Sequence, residues 1–236
     1  MVPIPTPQDI DDPLLVRAEP YWELPVQGTW QEPSLPVPEI KRVDAFENYV
    51  RRKSYVHNGG HALLAYHGYL RGLPFLWQAA EDAELATELT GFWQEANEYL
   101  VSKGMPLTEL EAYEAGLLIR FQNHVLNDTI ARVARDPARK LRLGDRLTTV
   151  AYLQIQQRRT SIYACRAIAA ALLYDSPNDA SAMQVQAQIR ELGVQRAFQE
   201  LSGIKSEQAD KIGPLVEEAY RTMARQYGKL AAQQMR

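Results

Sequence analysis

Apolar residues fall into a helical rhythm over most of the chain, and the rhythm begins only near residue 40. Leu63, Tyr66, His67 and Leu70 recur at the spacing of one helix face. Leu85, Leu89, Phe92, Trp93 and Leu100 do the same in a run that closes at "SKGMP", where glycine and proline stop a helix. The pattern predicts further helices over 107–135, 147–157, 161–174, 180–199 and 207–235, with breaks at Asp136-Pro137, "DSPND" and "SGIK". Strand and helix do not alternate and no segment repeats, so residues 41–236 are expected to form one mostly α, multihelical domain.

Residues 1–40 read differently. Prolines at 3, 5, 7, 13, 20, 25, 33, 36 and 38 exclude long helices, because each ring removes an amide donor and restricts the residue before it. The expectation is a Pro-rich arm in which "LLVRAEPYWELPVQG" supplies one or two short strands. Tyr21, Trp22 and Trp30 give that arm aromatic surface to pack with.

Composition narrows the classes of function. The chain has 236 residues, 46% of them hydrophobic, and a formal net charge of -3, which fits a globular protein and advertises no nucleic-acid partner. Its single cysteine, Cys165, lies in "SIYACRAIAAALL" and reads as a packed core thiol, as suits a reducing cytosol. The longest apolar run, "AIAAALLY", is far short of the ~18 residues of a membrane span, and "MVPIPTPQDIDDP" lacks a signal-peptide pattern. A cytoplasmic protein is expected.

Two stretches carry candidate chemistry. In "RRKSYVHNGGHALLAYHGYLRG", a helix at ~100° per residue would put His61 about 80° and Asn58 about 140° from Lys53, within one half of its surface. Glycines 59 and 60, continued by Ala65, Gly68 and Gly72, leave room for a ligand or a neighbouring backbone. Spacing alone leaves a plainer alternative open, in which Asn58 caps a helix, Lys53 is solvated and His61 is a core histidine. His57 and His61 stand at metal-sharing distance, yet no glutamate follows the first, so no metal is expected. In "RFQNHVLNDTIARVARDPARKLRLGDRL", a continuous helix would align Arg120, Asn123, His124 and Asn127, followed by Arg132, Arg135, Arg139, Lys140 and Arg142. Such a stripe is either a solvated face or a set of directed donors for a polyhydroxylated or phosphorylated ligand. Neither a Gly-x-Ser-x-Gly elbow, nor a P-loop, nor a Cys-x-x-Cys pair occurs.

The chain resembles the C-terminal, substrate-binding domain of the polyol-specific long-chain dehydrogenases, most closely the mannitol-1-phosphate 5-dehydrogenases. "KSYVHNGGHA" fits that family's Lys-x4-Asn-x2-His signature at Lys53, Asn58 and His61. "RFQN", "DTIARVARDPARKL" and "GDRL" extend the likeness, as do "VPIPTPQDIDDPLLVRAEPYWE" at the start and "GPLVEEAY" in the closing helix.

The resemblance implies a zinc-independent hydride transfer between NAD and a sugar alcohol. Lys53 would be the general base, acting as a neutral amine in a partly buried site. Asn58 would donate to the developing oxyanion and His61 would hold a substrate hydroxyl. Arg120, Asn123 and His124 would line the polyol site, with Arg139 and Lys140 toward a substrate phosphate. Members of the family begin with a Rossmann domain, and this sequence has no strand, Gly-x-Gly-x-x-Gly turn and helix to hold a pyrophosphate. Three readings follow: the substrate half of a split dehydrogenase served by a separate nucleotide-binding chain, a non-catalytic polyol-phosphate binder, or an interaction module that inherited the signature. The Met1 start argues mildly against a truncated chain, and Lys53 favours the first reading, since a binder has little use for a desolvated base.

Overall fold

The structure, a computed structural model, describes residues 24–27 and 40–234, with side chains of the last helix to residue 228. The chain divides into two compact units, Met1–Val50 and Arg51–Arg236.

In the first unit β1 (Leu24–Val26) pairs in parallel with β2 (Ile40–Arg42) in the register Leu24 to Ile40. The Val43 amide continues the ladder by donating to the Val26 carbonyl at 3.1 Å. β1 falls in the arm segment expected to form a strand, and β2 lies where the arm gives way to the helical region. Tyr21, Trp22 and Trp30, whose packing was expected, lie outside the described residues. Helix α1 (Phe46–Arg52) begins in this unit.

The second unit is helical among its described residues. A π-helical turn (Lys53–Asn58) leads into α2 (Gly59–Leu70), and α3 (Leu76–Glu81), α4 (Ala83–Ser102) and α5 (Leu107–Phe121) follow. A short 3-10 turn (His124–Leu126), α6 (Ile130–Ala134) and α7 (Pro137–Lys140) make the middle. Then come α8 (Thr148–Gln156), α9 (Tyr163–Leu172), α10 (Ala180–Leu192), α11 (Val194–Ser202) and α12 (Ser206–Gln234). None of the described helices is long and apolar enough to cross a membrane.

Helix α2 runs through the middle of the core, buried from Ala62 to Gly68, and packs against α4, α6 and α9. The alanines of α9 (164, 167, 169, 170 and 171) are fully buried and let α2, α4 and α12 approach it closely. The start of α9 is tied down by a carboxylate from α4. Glu95 accepts from the amides of Ile162, Tyr163 and Ala164 at 2.7, 2.8 and 3.0 Å and from the Ser161 hydroxyl at 2.7 Å. A negative charge there satisfies amides that have no helical partner of their own.

Two predicted helices are broken. The 107–135 helix ends at Phe121, where the Asn123 side chain caps the 3-10 turn, Asn127 turns left-handed at φ 50°, and Thr129 caps α6. Tertiary pairing holds the break open: the Leu76 amide donates to the Asp128 carbonyl at 2.9 Å and the Ile130 amide to the Pro74 carbonyl at 3.0 Å. The 180–199 helix divides at Gly193, whose φ of 77° suits glycine.

Candidate active site

The polar start of α2 owes its shape to its glycines. A Cβ on Gly59 would lie 2.6 Å from the Phe92 ring, and one on Gly60 would lie 2.7 Å from the Trp93 indole nitrogen. The side of α2 that carries Gly59 and Gly60 is therefore filled by side chains of α4, which corrects the expectation that it leaves room for a ligand. The close approach lets the Trp93 indole N–H donate to the Val56 carbonyl at 2.9 Å, inside the π turn. That turn changes the wheel: i to i+5 bonding brings positions 53 and 58 onto the same side of the turn, where a regular helix would hold them about 140° apart. Asn58 itself has helical φ and ψ of -69° and -31° and makes no capping bond, so the capping alternative does not hold. Lys53 is exposed, and the partial burial expected of it is not found in this chain.

His57 lies among the cations. Burial, then the charges of His61, Arg120, Lys53 and Arg146, push its pKa down to about 3, so it stays neutral at working pH. His61 stacks on Phe121 with ring centroids 5.2 Å apart and 16° between planes, and its Nε2 is 3.5 Å from Asp128 Oδ2. Burial lowers the His61 pKa while Asp128 pulls it back up. Burial alone would raise the Asp128 carboxyl, but the His61 hydrogen bond and the charges of His61 and Arg132 hold it below the usual range. Arg132 bonds to Asp128 from the other side.

His61 opens onto a cavity of about 530 Å³ walled by α2, α6, α7 and the approach to α10. Arg132, Arg135, Arg139, Lys140 and Arg146 line it with Asp136 and Asp179, and since Asp128 and Asp145 pair with Arg132, Arg139 and Arg146, the wall keeps a small net positive charge. Lys140 is 4% exposed and donates to the carbonyls of Val133, at 2.6 Å, and Arg135. Burial, then Arg146 and Arg139, bring its pKa down to about 8. Asp136 stands left-handed at φ 61° directly before Pro137, a strained conformation held by its amide's bond to Asp179 Oδ2 at 2.8 Å. This bend starts α7 and presents Arg139, which pairs with Asp136 at 2.7 Å and Asp145 at 3.0 Å.

Of the residues singled out in the sequence, His61, Arg132, Arg135, Arg139 and Lys140 line this cavity, and Lys53 and Arg120 lie close enough to act electrostatically on His57 beside it. Asn123 and His124 are not among its lining residues. Asn123 accepts from the Val125 amide at 3.0 Å as a cap, while His124 stacks on Trp77 with centroids 3.9 Å apart and sits 3.0 Å from Glu81. The expected stripe of Arg120, Asn123, His124 and Asn127 does not exist, because the helix that would align them ends at Phe121. Asp128, Phe121 and Arg146 were not singled out. Asp128 and Arg146 sit inside the quoted "DTIARVARDPARKL" and "GDRL", and only the fold brings them to His57 and His61.

The sequence profile of the mannitol dehydrogenase C-terminal domain matches residues 45–219, most of the chain. The chain belongs to this family. A mannitol-1-phosphate 5-dehydrogenase of Bacillus subtilis is 36% identical over 208 residues, 87% of this chain and 54% of the relative. One of Caldanaerobacter subterraneus is 31% identical over 219 residues, 92% of this chain and 55% of the relative. The chain thus spans about half the length of the curated relatives it matches. The solved Pseudomonas fluorescens mannitol 2-dehydrogenase, a ternary complex with NAD and D-mannitol, shares the fold at a TM-score of 0.68 and 21% identity over 82% of this chain and 42% of that one. A substrate-free D-sorbitol dehydrogenase does so at 0.64 and 18%, over 84% of this chain and 45% of that one. As a mannitol dehydrogenase C-terminal domain, the chain is a member of the polyol dehydrogenase family, and its helical architecture is that of its relatives.

Proposed function

We propose that the chain is the substrate half of an NAD-dependent polyol dehydrogenase and that the cleft beside His61 takes a polyol phosphate. The observation that carries this reading is the cationic wall. Five basic residues outnumber the four carboxylates that line the cleft or pair with them, Asp128, Asp136, Asp145 and Asp179, and this net positive wall of guanidinium groups suits a phosphate better than a neutral polyol. His61 would hold a polyol hydroxyl, Asn58 would donate its amide hydrogen to the oxygen that gains charge, and Lys53 would accept the hydroxyl proton.

The residues here do not fit NAD. The only sheet among the described residues is the three-residue pair β1 and β2, and the sequence holds no glycine fingerprint. No step through the cofactor is therefore assigned to this chain. A nucleotide-binding domain from outside these 236 residues, on a separate chain, would supply it and bury Lys53 on docking. The exposure of Lys53 equally favours a second reading, in which the chain binds polyol phosphates without catalysis.

Calorimetric titration tests the cleft. Mannitol 1-phosphate is expected to bind at least ~10-fold more tightly than mannitol, the scale of one charge-assisted hydrogen bond, and Arg146→Ala should remove most of the difference. Equal affinity for the two, or no binding of either, overturns the assignment.

A further inference from the structure

A second cavity, of about 590 Å³, lies in the same unit between α2, α4, α9 and α12. His67 reaches it from α2. Six residues beyond His61, it points about 240° around the helix, away from the polyol cleft.

Three polar atoms on residues lining this cavity are buried and have no hydrogen-bond partner among the described residues: His67 Nε2, Glu88 Oε2 and Arg71 Nε. His67 is 2% exposed and Glu88 8%. Their surroundings are otherwise well paired. Glu88 Oε1 takes the Arg166 guanidinium at 2.6 Å, and Arg71 bonds Asp82 and Glu84, each at 2.7 Å, and also the Tyr227 side chain. An unpartnered buried polar atom costs about 1–3 kcal/mol, so three on residues that line one cavity form an uncommon and costly arrangement, which a bound molecule would relieve once these side chains turn toward it.

The chemistry of the three atoms selects the molecule. Glu88 Oε2 only accepts, Arg71 Nε only donates, and His67 Nε2 does one or the other by tautomer. A hydroxyl or a carboxamide does both. The remaining wall includes Ile162, Leu215, Ala219 and Met223, which favour an apolar body. Both arginines are already committed to carboxylates, and Glu84 and Glu218 also line the space, so an anion gains no free cation. Burial, then Arg166 and Arg71, hold the His67 pKa down to about 3, so the imidazole adds no positive charge.

We propose that this cavity is a second small-molecule site, separate from the polyol cleft, for a neutral alcohol or amide with a compact apolar body. Cyclohexanol, cyclohexanecarboxamide and cyclohexanecarboxylate are suitable probes, since they share one body and differ in the polar group. With methyl-labelled methionine, Met223 reports from the cavity wall, while Met105 and Met183 report from elsewhere. Cyclohexanol and the carboxamide are expected to shift the Met223 resonance saturably, at roughly millimolar affinity for molecules this small. The carboxylate should bind at least ~10-fold more weakly, the scale of one charge-assisted hydrogen bond. Ala219→Leu, which fills the space, and Thr222→Phe, which closes its rim, should each abolish the shift while the melting temperature stays near that of the parent. The proposal is overturned if no probe shifts Met223, if carboxylate and alcohol bind alike, or if the shift survives in whichever of the two variants is folded. Shifts confined to the surroundings of His61 and Lys140 would likewise overturn it, by placing the probe in the polyol cleft.

Discussion

Lys140 is expected to give the proposed cleft a pH dependence, because its pKa of about 8 falls inside the working range while arginine side chains stay charged. A substrate phosphate is dianionic above its second pKa of ~6, and His61, lowered by burial, does not gain charge as pH rises. Affinity for mannitol 1-phosphate is therefore expected to fall by roughly tenfold between about pH 7 and 9.5, the loss of one charge-assisted bond. Titration calorimetry across that range checks it, and Lys140→Met should flatten the profile. A wild-type profile that is already flat would remove Lys140 from the phosphate contact. Stability should run the other way. The folded-state pKa lies below the ordinary value of 10.5, so the cost of burying the ammonium is fully present below about pH 8 and is relieved as pH rises from there toward 10.5. The sequence showed Lys140 and His61 as members of separate stretches. It could not show Asp128 beside His61, because that contact depends on where the helix ending at Phe121 hands the chain to α6.

At the level of elements, the glycine pair at 59–60 was visible in the sequence and its occupant was not. A gap for a ligand and a gap for an indole look alike until α4 is placed. Since the Cβ of an alanine at 60 would lie 2.7 Å from Trp93 Nε1 and 2.8 Å from Leu89, Gly60→Ala should cost about 1–3 kcal/mol by denaturant unfolding. Trp93→Phe should cost a similar ~1–3 kcal/mol by leaving a carbonyl of the π turn without the indole donor. If Gly60→Ala is neutral, the close packing is not what shapes the turn. Glu95 offers an independent check at the start of α9. Glu95→Gln keeps the shape but weakens three amide bonds and the Ser161 bond, and should destabilise by about 2 kcal/mol. Helix limits were legible where composition punctuates them, as at "SKGMP", and illegible at 121–130, where pairing with the 74–76 segment overrides an apolar rhythm that runs on through the break.

For the whole molecule, the deciding fact is that the chain spans about half of its relatives and carries an exposed candidate base at the start of its core helix. On the dehydrogenase reading, docking of a nucleotide-binding domain covers the exposed Lys53 and completes the site. The isolated chain should accordingly bind NADH no better than roughly millimolar and should not oxidise mannitol 1-phosphate. Adding a family nucleotide-binding domain in trans should restore NADH formation, followed by absorbance. In that assembly Lys53→Ala should lower turnover by ~10²–10⁴, the range for a positioned acid or base, with little change in assembly. His61→Ala should act chiefly on the apparent substrate affinity. Turnover that persists in Lys53→Ala would move the base elsewhere in the cleft, with Lys140 next to be examined. Binding of mannitol 1-phosphate with no domain able to restore turnover would leave the chain a binder, with Lys53 an inherited solvated residue.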